Sequence, residues 1–294
     1  MPQIVANEIS LEYDTFGDPS GRPLLMVMGL GAQLIHWRDG FCDQLAANGH
    51  YVIRFDNRDV GLSEKFGHLG RPNVIELVMR AMQNEPVEAP YSLDDLADDA
   101  FGLLDQLGIE RAHVCGASMG GMVAQVMAIR APERVRTLTC IMTSTGNPDL
   151  PFSREEALAA LLSPAGADRE GAIERAFRVS RVLGSPAYPV PEDEIRRRAA
   201  EAYDRSFYPE GFTRQIAAIA AHGNRRPALE RLDLPAFVVH GREDPLVPVE
   251  GGVDTHEALR RSKLLVVEGM GHDLPEPVWP EVVQGISELT HRHH

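Results

Sequence analysis

The stretch that decides the fold is His113-Val114-Cys115-Gly116-Ala117-Ser118-Met119-Gly120-Gly121. Its first residues read as the end of an apolar strand, and Met122 to Arg130 continues with helical composition until Pro132. A strand that turns sharply into a helix needs room where the chain folds against itself, and glycines two before and two after Ser118 provide it. A serine hydroxyl is a weak nucleophile until a base takes its proton, and it must stand clear of the backbone to reach a carbonyl carbon. The turn meets the second requirement, and the following helix aims its N-terminal amides at developing negative charge. The alternative is a buried serine at a Gly-rich junction. The order strand, turn, helix around Ser118 favours the nucleophile.

Outward from this turn, strand and helix patterns alternate. Ile9 to Tyr13 alternates apolar and polar, as an antiparallel edge strand does. Leu24-Leu25-Met26-Val27-Met28 is a continuous apolar run, suited to a strand buried on both faces. A helix is predicted over Trp37 to Asn48, with Gly49 as its stop, and a strand over Tyr51 to Phe55. Gly67 to Pro90 reads as a surface excursion with a short apolar helix around Val74 to Met82. Ser92 caps a helix whose apolar stripe is Leu93, Leu96, Ala100, Leu103, Leu104 and Leu107, stopped by Gly108. Further strands are expected at Val135 to Met142, Phe237 to His240 and Lys263 to Val267, before a closing helix around Glu281 to Leu289. The alternation indicates an α/β architecture with a mostly parallel central sheet flanked by helices.

From about residue 147 to 226 the pattern changes to helical segments rich in Arg, Glu and Ala, broken by Pro164, Pro186, Pro189 and Pro191, with no strand-like run. The expected organisation is a core of residues 1–146 and 227–294 interrupted by a helical insertion at 147–226. Arg196-Arg197-Arg198 reads as a solvated face of one of its helices.

Two further segments can complete the chemistry of Ser118. His240-Gly241-Arg242-Glu243-Asp244-Pro245 follows a strand directly, so either Asp244 or Glu243 could supply a carboxylate at the sheet edge, unless Asp244 merely caps the turn before Pro245. Gly269-Met270-Gly271-His272-Asp273 follows the last strand. Of the eleven histidines, His272 alone combines a loop position with the chain order serine, acid, histidine. Met28-Gly29-Leu30-Gly31, at the end of an early buried strand, could place the Leu30 N–H beside the Met119 N–H as an oxyanion hole.

Composition bounds the partners. With 44% hydrophobic and 24% charged residues the 294-residue chain reads as an ordinary globular protein. A formal net charge of −14 repels phosphate backbones and anionic headgroups, so neither nucleic acid nor a membrane surface is an expected partner. Cys42, Cys115 and Cys140 lack the spacing of a zinc site or a disulfide scaffold and read as buried thiols. The first residues carry neither a basic segment nor an apolar one, and no apolar run is long enough to span a membrane; the expected location is the cytoplasm.

On these residues the chain resembles the α/β-hydrolase superfamily over nearly its whole length. The resemblance implies Ser118 as nucleophile, Asp244 as the acid, His272 as the base and a helical cap domain inserted after the sixth strand. Asp56-Asn57-Arg58-Asp59-Val60-Gly61-Leu62-Ser63 is similar to the family's segment after the fourth strand, except that Asp59 stands where a glycine is usual. Met28-Gly29 likewise stands where many members have His-Gly. Both departures resemble the subgroup that contains aclacinomycin methylesterase and related small carboxylesterases. A serine nucleophile implies acyl transfer from a small-molecule ester without cofactor or metal, and disfavours the dehalogenase and epoxide-hydrolase chemistries of the same fold, which form an ester to an aspartate. Lactonase, C–C hydrolase or perhydrolase activity would use the same three residues, and a slow-turnover small-molecule receptor is the alternative from another class.

Overall fold

In a computed structural model, which describes residues 2–83 and 85–294, the strands are β1 (Gln3–Ala6), β2 (Ile9–Phe16), β3 (Arg22–Val27), β4 (His50–Phe55), β5 (Ala112–Ala117), β6 (Val135–Ile141), β7 (Pro235–Gly241) and β8 (Arg261–Val267). They form one sheet in the order β1-β2-β4-β3-β5-β6-β7-β8. β1 pairs with β2 and β2 with β4 antiparallel, and the pairs from β4 to β8 are parallel. The edge strand expected at Ile9 is therefore one place inward, because Gln3–Ala6 covers its outer side.

The helices are α1 (Asp39–Ala47), α2 (Val74–Met82), α3 (Leu93–Gln106), α4 (Met119–Arg130), α5 (Glu155–Leu161), α6 (Arg169–Leu183), α7 (Glu192–Arg205), α8 (Pro209–His222), α9 (Arg226–Leu229), α10 (Val249–Ala258) and α11 (Trp279–Arg292). The start expected at Trp37 is later. Leu34–His36 is a 3-10 turn, and Trp37 is extended and stacks its ring 5.9 Å from Phe41.

β3 reads as an unbroken apolar run because both of its faces are covered. Leu25 and Val27 join Phe55, Val114 and Leu138 under Leu96, Leu103 and Val123 of α3 and α4. Leu24 and Met26 join Val52, Cys115 and Val239 under Phe41, Leu45, Val282 and Ile286 of α1 and α11. At roughly 1.5–3 kcal/mol for each large side chain removed from water, these two layers dominate the stability of the sheet. α3 starts at a complete capping box, in which Ser92 Oγ accepts from Asp95 N–H at 3.3 Å and Asp95 Oδ2 accepts from Ser92 N–H at 2.7 Å.

Between β6 and β7 the described residues form α5 to α9 and no strand. The two ends of this segment meet, where Arg225 N–H donates to the Thr145 carbonyl at 2.7 Å and the buried Arg225 side chain donates to Ser144 O and Gln125 Oε1, both at 2.9 Å. Arg196, Arg197 and Arg198 pair with Glu192 and Glu194 on the same helix, and α7 packs on α6. All parallel strands end toward the same side, so the loops after β3, β5, β7 and β8 converge there, the usual place for chemistry in such sheets.

Candidate active site

Ser118 terminates the β5 segment and caps α4 with φ 54° and ψ −122°, a left-handed conformation that costs a non-glycine residue energy and lifts its side chain out of the turn. Two close approaches maintain this geometry. A Cβ added to Gly116 would lie 2.1 Å from the Gly120 carbonyl oxygen, and one added to Gly120 would lie 2.0 Å from the Val27 carbonyl oxygen, so only glycine fits at either position. Because the Ser118 side chain makes no capping bond to α4, its hydroxyl is available elsewhere.

It points to His272: Ser118 Oγ lies 3.1 Å from His272 Nε2, and His272 Nδ1 lies 2.7 Å from Asp244 Oδ2. Asp244 is buried, and its other oxygen accepts from Leu246 and Val247 N–H, each at 2.9 Å. Burial opposes the charge of this carboxyl, but the facing imidazoles of His272 and His240 outweigh it and hold the group well below the usual carboxylate range. An ionised Asp244 accepts hydrogen bonds only, so the proton of a neutral His272 resides on Nδ1 and Nε2 is left to accept from the serine hydroxyl.

The structure thus brings together Ser118, Asp244 and His272 from three separate loops. Glu243, the rival acid, faces the other way: its carboxylate accepts from Gly269 N–H at 2.6 Å, and its own N–H donates to the Met270 carbonyl at 3.0 Å. It anchors the loop that carries His272. That loop is braced from the inserted segment as well, through His272 N–H to the Leu183 carbonyl at 2.7 Å, Gly271 N–H to Ser185 Oγ at 3.0 Å, and Ser185 Oγ–H to Asp273.

The loop after β3 lies against the serine. A Cβ on Gly29 would be 3.2 Å from Ser118 Cβ and 3.7 Å from its Oγ, which leaves a narrow space flanked by the loop carrying Leu30 and the start of α4. Gly31 N–H is taken by Gln215 Oε1 at 2.8 Å, while among the described residues no acceptor takes Leu30 N–H or Met119 N–H. Two unclaimed donors therefore lie on the two segments that flank Ser118, as a developing oxyanion requires.

His240, Asn57 and Gln215 are further polar residues around this centre. His240 is fully buried, its Nε2 2.8 Å from the Val247 carbonyl and 3.4 Å from Asp244 Oδ2. Asn57 Nδ2 donates to the Met28 carbonyl at 2.9 Å. None carried a local sequence signal beyond the position of Asn57 in the segment after β4.

Burial pushes the Cys42 and Cys140 thiols up to about 12, and that of Cys115 higher than its ordinary value, so none of the three is a thiolate nucleophile. Among the described residues no group of three or more His, Cys, Asp or Glu side chains converges as metal ligands would. No helix among them is long and apolar enough to cross a membrane.

The family model described as alpha/beta hydrolase fold matches residues 22–276. Rhodomycin D methylesterase DauP of Streptomyces sp. (strain C5) is 29% identical over 308 residues, covering 98% of this chain and 97% of its own. The 3-oxoadipate enol-lactonase 2 of Acinetobacter baylyi is 29% identical over 269 residues, covering 90% of this chain and 87% of its own. A solved meta-cleavage product hydrolase from Pseudomonas fluorescens superposes with a TM-score of 0.78 at 22% identity, over 100% of this chain and 98% of that one.

Proposed function

We propose, from the premise that the chain belongs to the alpha/beta hydrolase fold family, that it is a serine hydrolase of carboxylic esters, with Ser118 as nucleophile, His272 as base and Asp244 as orienting acid. The observation that carries the reading is the continuous chain from Ser118 Oγ to His272 Nε2 at 3.1 Å and from His272 Nδ1 to Asp244 Oδ2 at 2.7 Å. In this mechanism His272 takes the Ser118 proton as Oγ attacks the ester carbonyl carbon. The carbonyl oxygen becomes an oxyanion that accepts from Leu30 and Met119 N–H, and each such donor is worth about 3 kcal/mol of barrier. The alkoxide leaves with the proton from His272, and a water deprotonated by His272 then releases the acid from Ser118. The ionised Asp244 stabilises the imidazolium formed in both steps.

The helical segment 147–226 acts as a cap over this centre. Methyl-ester hydrolysis on an aromatic polyketide is the sharper substrate reading, and the rhodomycin D methylesterase relative supports its methylesterase part. The enol-lactonase relative supports lactone hydrolysis as the second reading, which uses the same residues.

The test is hydrolysis of p-nitrophenyl acetate, butyrate and decanoate by wild type and Ser118→Ala, with mass spectrometry after a fluorophosphonate probe. Turnover lost in Ser118→Ala, with the probe's mass on Ser118, is expected. A folded wild type with neither turnover nor labelling refutes the enzyme and leaves a small-molecule receptor on the same scaffold.

A further inference from the structure

Besides the bonds of Gln33 to the Ala202 and Ser206 carbonyls and to Arg205, the loop that presents the Leu30 amide is tethered at three points. Two tethers come from the segment after β4, where Asn57 Nδ2 donates to the Met28 carbonyl at 2.9 Å and Asp56 Oδ1 accepts from Leu34 N–H at 2.7 Å. The third comes from α8 in the inserted segment, where Gln215 accepts the Gly31 N–H at 2.8 Å through Oε1 and donates to the Arg58 carbonyl at 2.9 Å through Nε2. Gln215 is fully buried, so both ends of its amide are committed to the core backbone.

α8 is itself pinned. Arg214 donates to Asp59 through Nε at 2.7 Å and Nη2 at 2.9 Å, in an ion pair with both side chains fully buried. Gly211, one turn earlier on the same face, lies so close that a Cβ there would be 2.1 Å from the Asp59 carbonyl oxygen. A Cβ on Gly31 would in turn meet the Phe212 ring at 2.9 Å. The helix and the loop are packed without slack.

The geometry of the loop shows what the Gln215 bond controls. Ala32 N–H donates to the Gly29 carbonyl at 3.2 Å, closing a four-residue turn with Leu30 and Gly31 at its centre, and Gly31 has φ +66° while Leu30 is not in the left-handed region. This is a type II turn, which differs from the more common type I by a flip of about 180° in the central peptide, here the one joining Leu30 to Gly31. Gln215 grips the N–H of that peptide.

We infer that Gln215 is a positioning residue for the reaction: it locks the Leu30–Gly31 peptide and so holds the turn whose preceding Gly29–Leu30 peptide presents the Leu30 N–H toward the oxyanion. The inserted helices thereby complete the catalytic centre as well as cover it. This rests on the ester-hydrolase reading of Ser118.

The experiment compares wild type, Gln215→Met and Gln215→Glu. Methionine keeps the length and removes both bonds. Its kcat on p-nitrophenyl butyrate is expected to fall about 10- to 100-fold with KM within about twofold, less than the 10²–10³-fold typical when an oxyanion donor is removed outright. Inhibition by phenylboronic acid, whose boron adds Ser118 Oγ to become a tetrahedral anion, is expected to weaken by the same factor. A neutral glutamic acid reproduces both bonds, whereas an ionised one sets a negative charge beside the oxyanion. The kcat ratio of Gln215→Glu to wild type is therefore expected to fall as pH rises, while that of Gln215→Met stays flat.

A folded Gln215→Met with unchanged kcat and boronate affinity overturns the inference, as does a rise in KM alone, which would mean that Gln215 only shapes the pocket. If Gln215→Met does not fold, a pH-independent ratio for Gln215→Glu overturns it. Failure of the underlying reading shows differently, as undiminished turnover in Ser118→Ala.

Discussion

Asp59 sits with φ 68° where glycine is the comfortable residue, and its carboxylate is fully buried against Arg214. Burial opposes its charge, yet Arg214, Phe66 N–H and the Tyr91 hydroxyl hold its carboxyl below its ordinary value. Replacing Arg214 with methionine leaves a desolvated carboxylate with only the amide and the phenol, and breaking a buried pair in this way costs about 3–5 kcal/mol. Asp59→Gly leaves the Arg214 guanidinium with Tyr208 Oη at 2.9 Å and the Gly70 carbonyl at 2.7 Å. The cost is similar, offset by about 1–2 kcal/mol from release of the left-handed strain. The double variant removes both charges and the strain together, and is expected within about 2 kcal/mol of wild type. Urea unfolding followed by circular dichroism reads all four corners of the cycle. A coupling of about 3 kcal/mol or more is expected, larger than most contacting pairs because each single change strands a charge. In thermal scans, at about 2–4 °C per kcal/mol, Arg214→Met loses roughly 6–20 °C and Asp59→Gly roughly 2–16 °C. Additive single effects, or an Arg214→Met variant within about 1 kcal/mol of wild type, would show that the pair is not a closed charge unit.

Asp244→Asn keeps an acceptor for Leu246 and Val247 N–H but turns an amide donor toward His272 Nδ1, forcing the proton to Nε2; kcat is expected to fall about 10³–10⁴-fold with little change in thermal stability, and a loss under tenfold would refute the tautomer argument. Gly120→Ala must displace the Val27 backbone and is expected to cost more than about 3 kcal/mol, so a soluble, fully active variant would contradict the close approach. Burial lowers His50 from 6.5 to about 4 and His113 to about 3. The unfolded chain therefore takes up these protons first: the stability is fully present above about pH 6.5 and is lost as pH falls toward 4, at about 1.4 kcal/mol per unit for each histidine. Gln in place of His50 should flatten that slope by about one proton in urea melts between pH 7 and 4, and an unchanged slope would refute the assignment.

The features legible in the sequence depend on near neighbours in the chain. The apolar run Leu24–Val27, the Ser92 capping box, the stop at Gly108 and the turn around Ser118 are each encoded within a few residues, because periodicity, caps and left-handed glycines are local properties. β1 carries no legible signal because four residues are too few to show a period, and its strand exists through pairing with β2. Local pattern could not separate Glu243 from Asp244, which are adjacent and both acidic. Their separation follows from the loop after β8, which offers Gly269 N–H to one and His272 to the other. Nor could composition tell Arg214 from Arg196, Arg197 and Arg198 in one helical segment rich in arginine. The first is fully buried on a carboxylate 155 residues away, while the others are solvent-accessible pairs with Glu192 and Glu194 of their own helix and, for Arg196, with Glu174 of the adjacent α6. Gln215 meets Gly31 across 184 residues. A charged or amide side chain enters the interior only where a distant backbone or counter-charge compensates its lost hydration, and that compensation comes into being only when the inserted helices dock on the sheet.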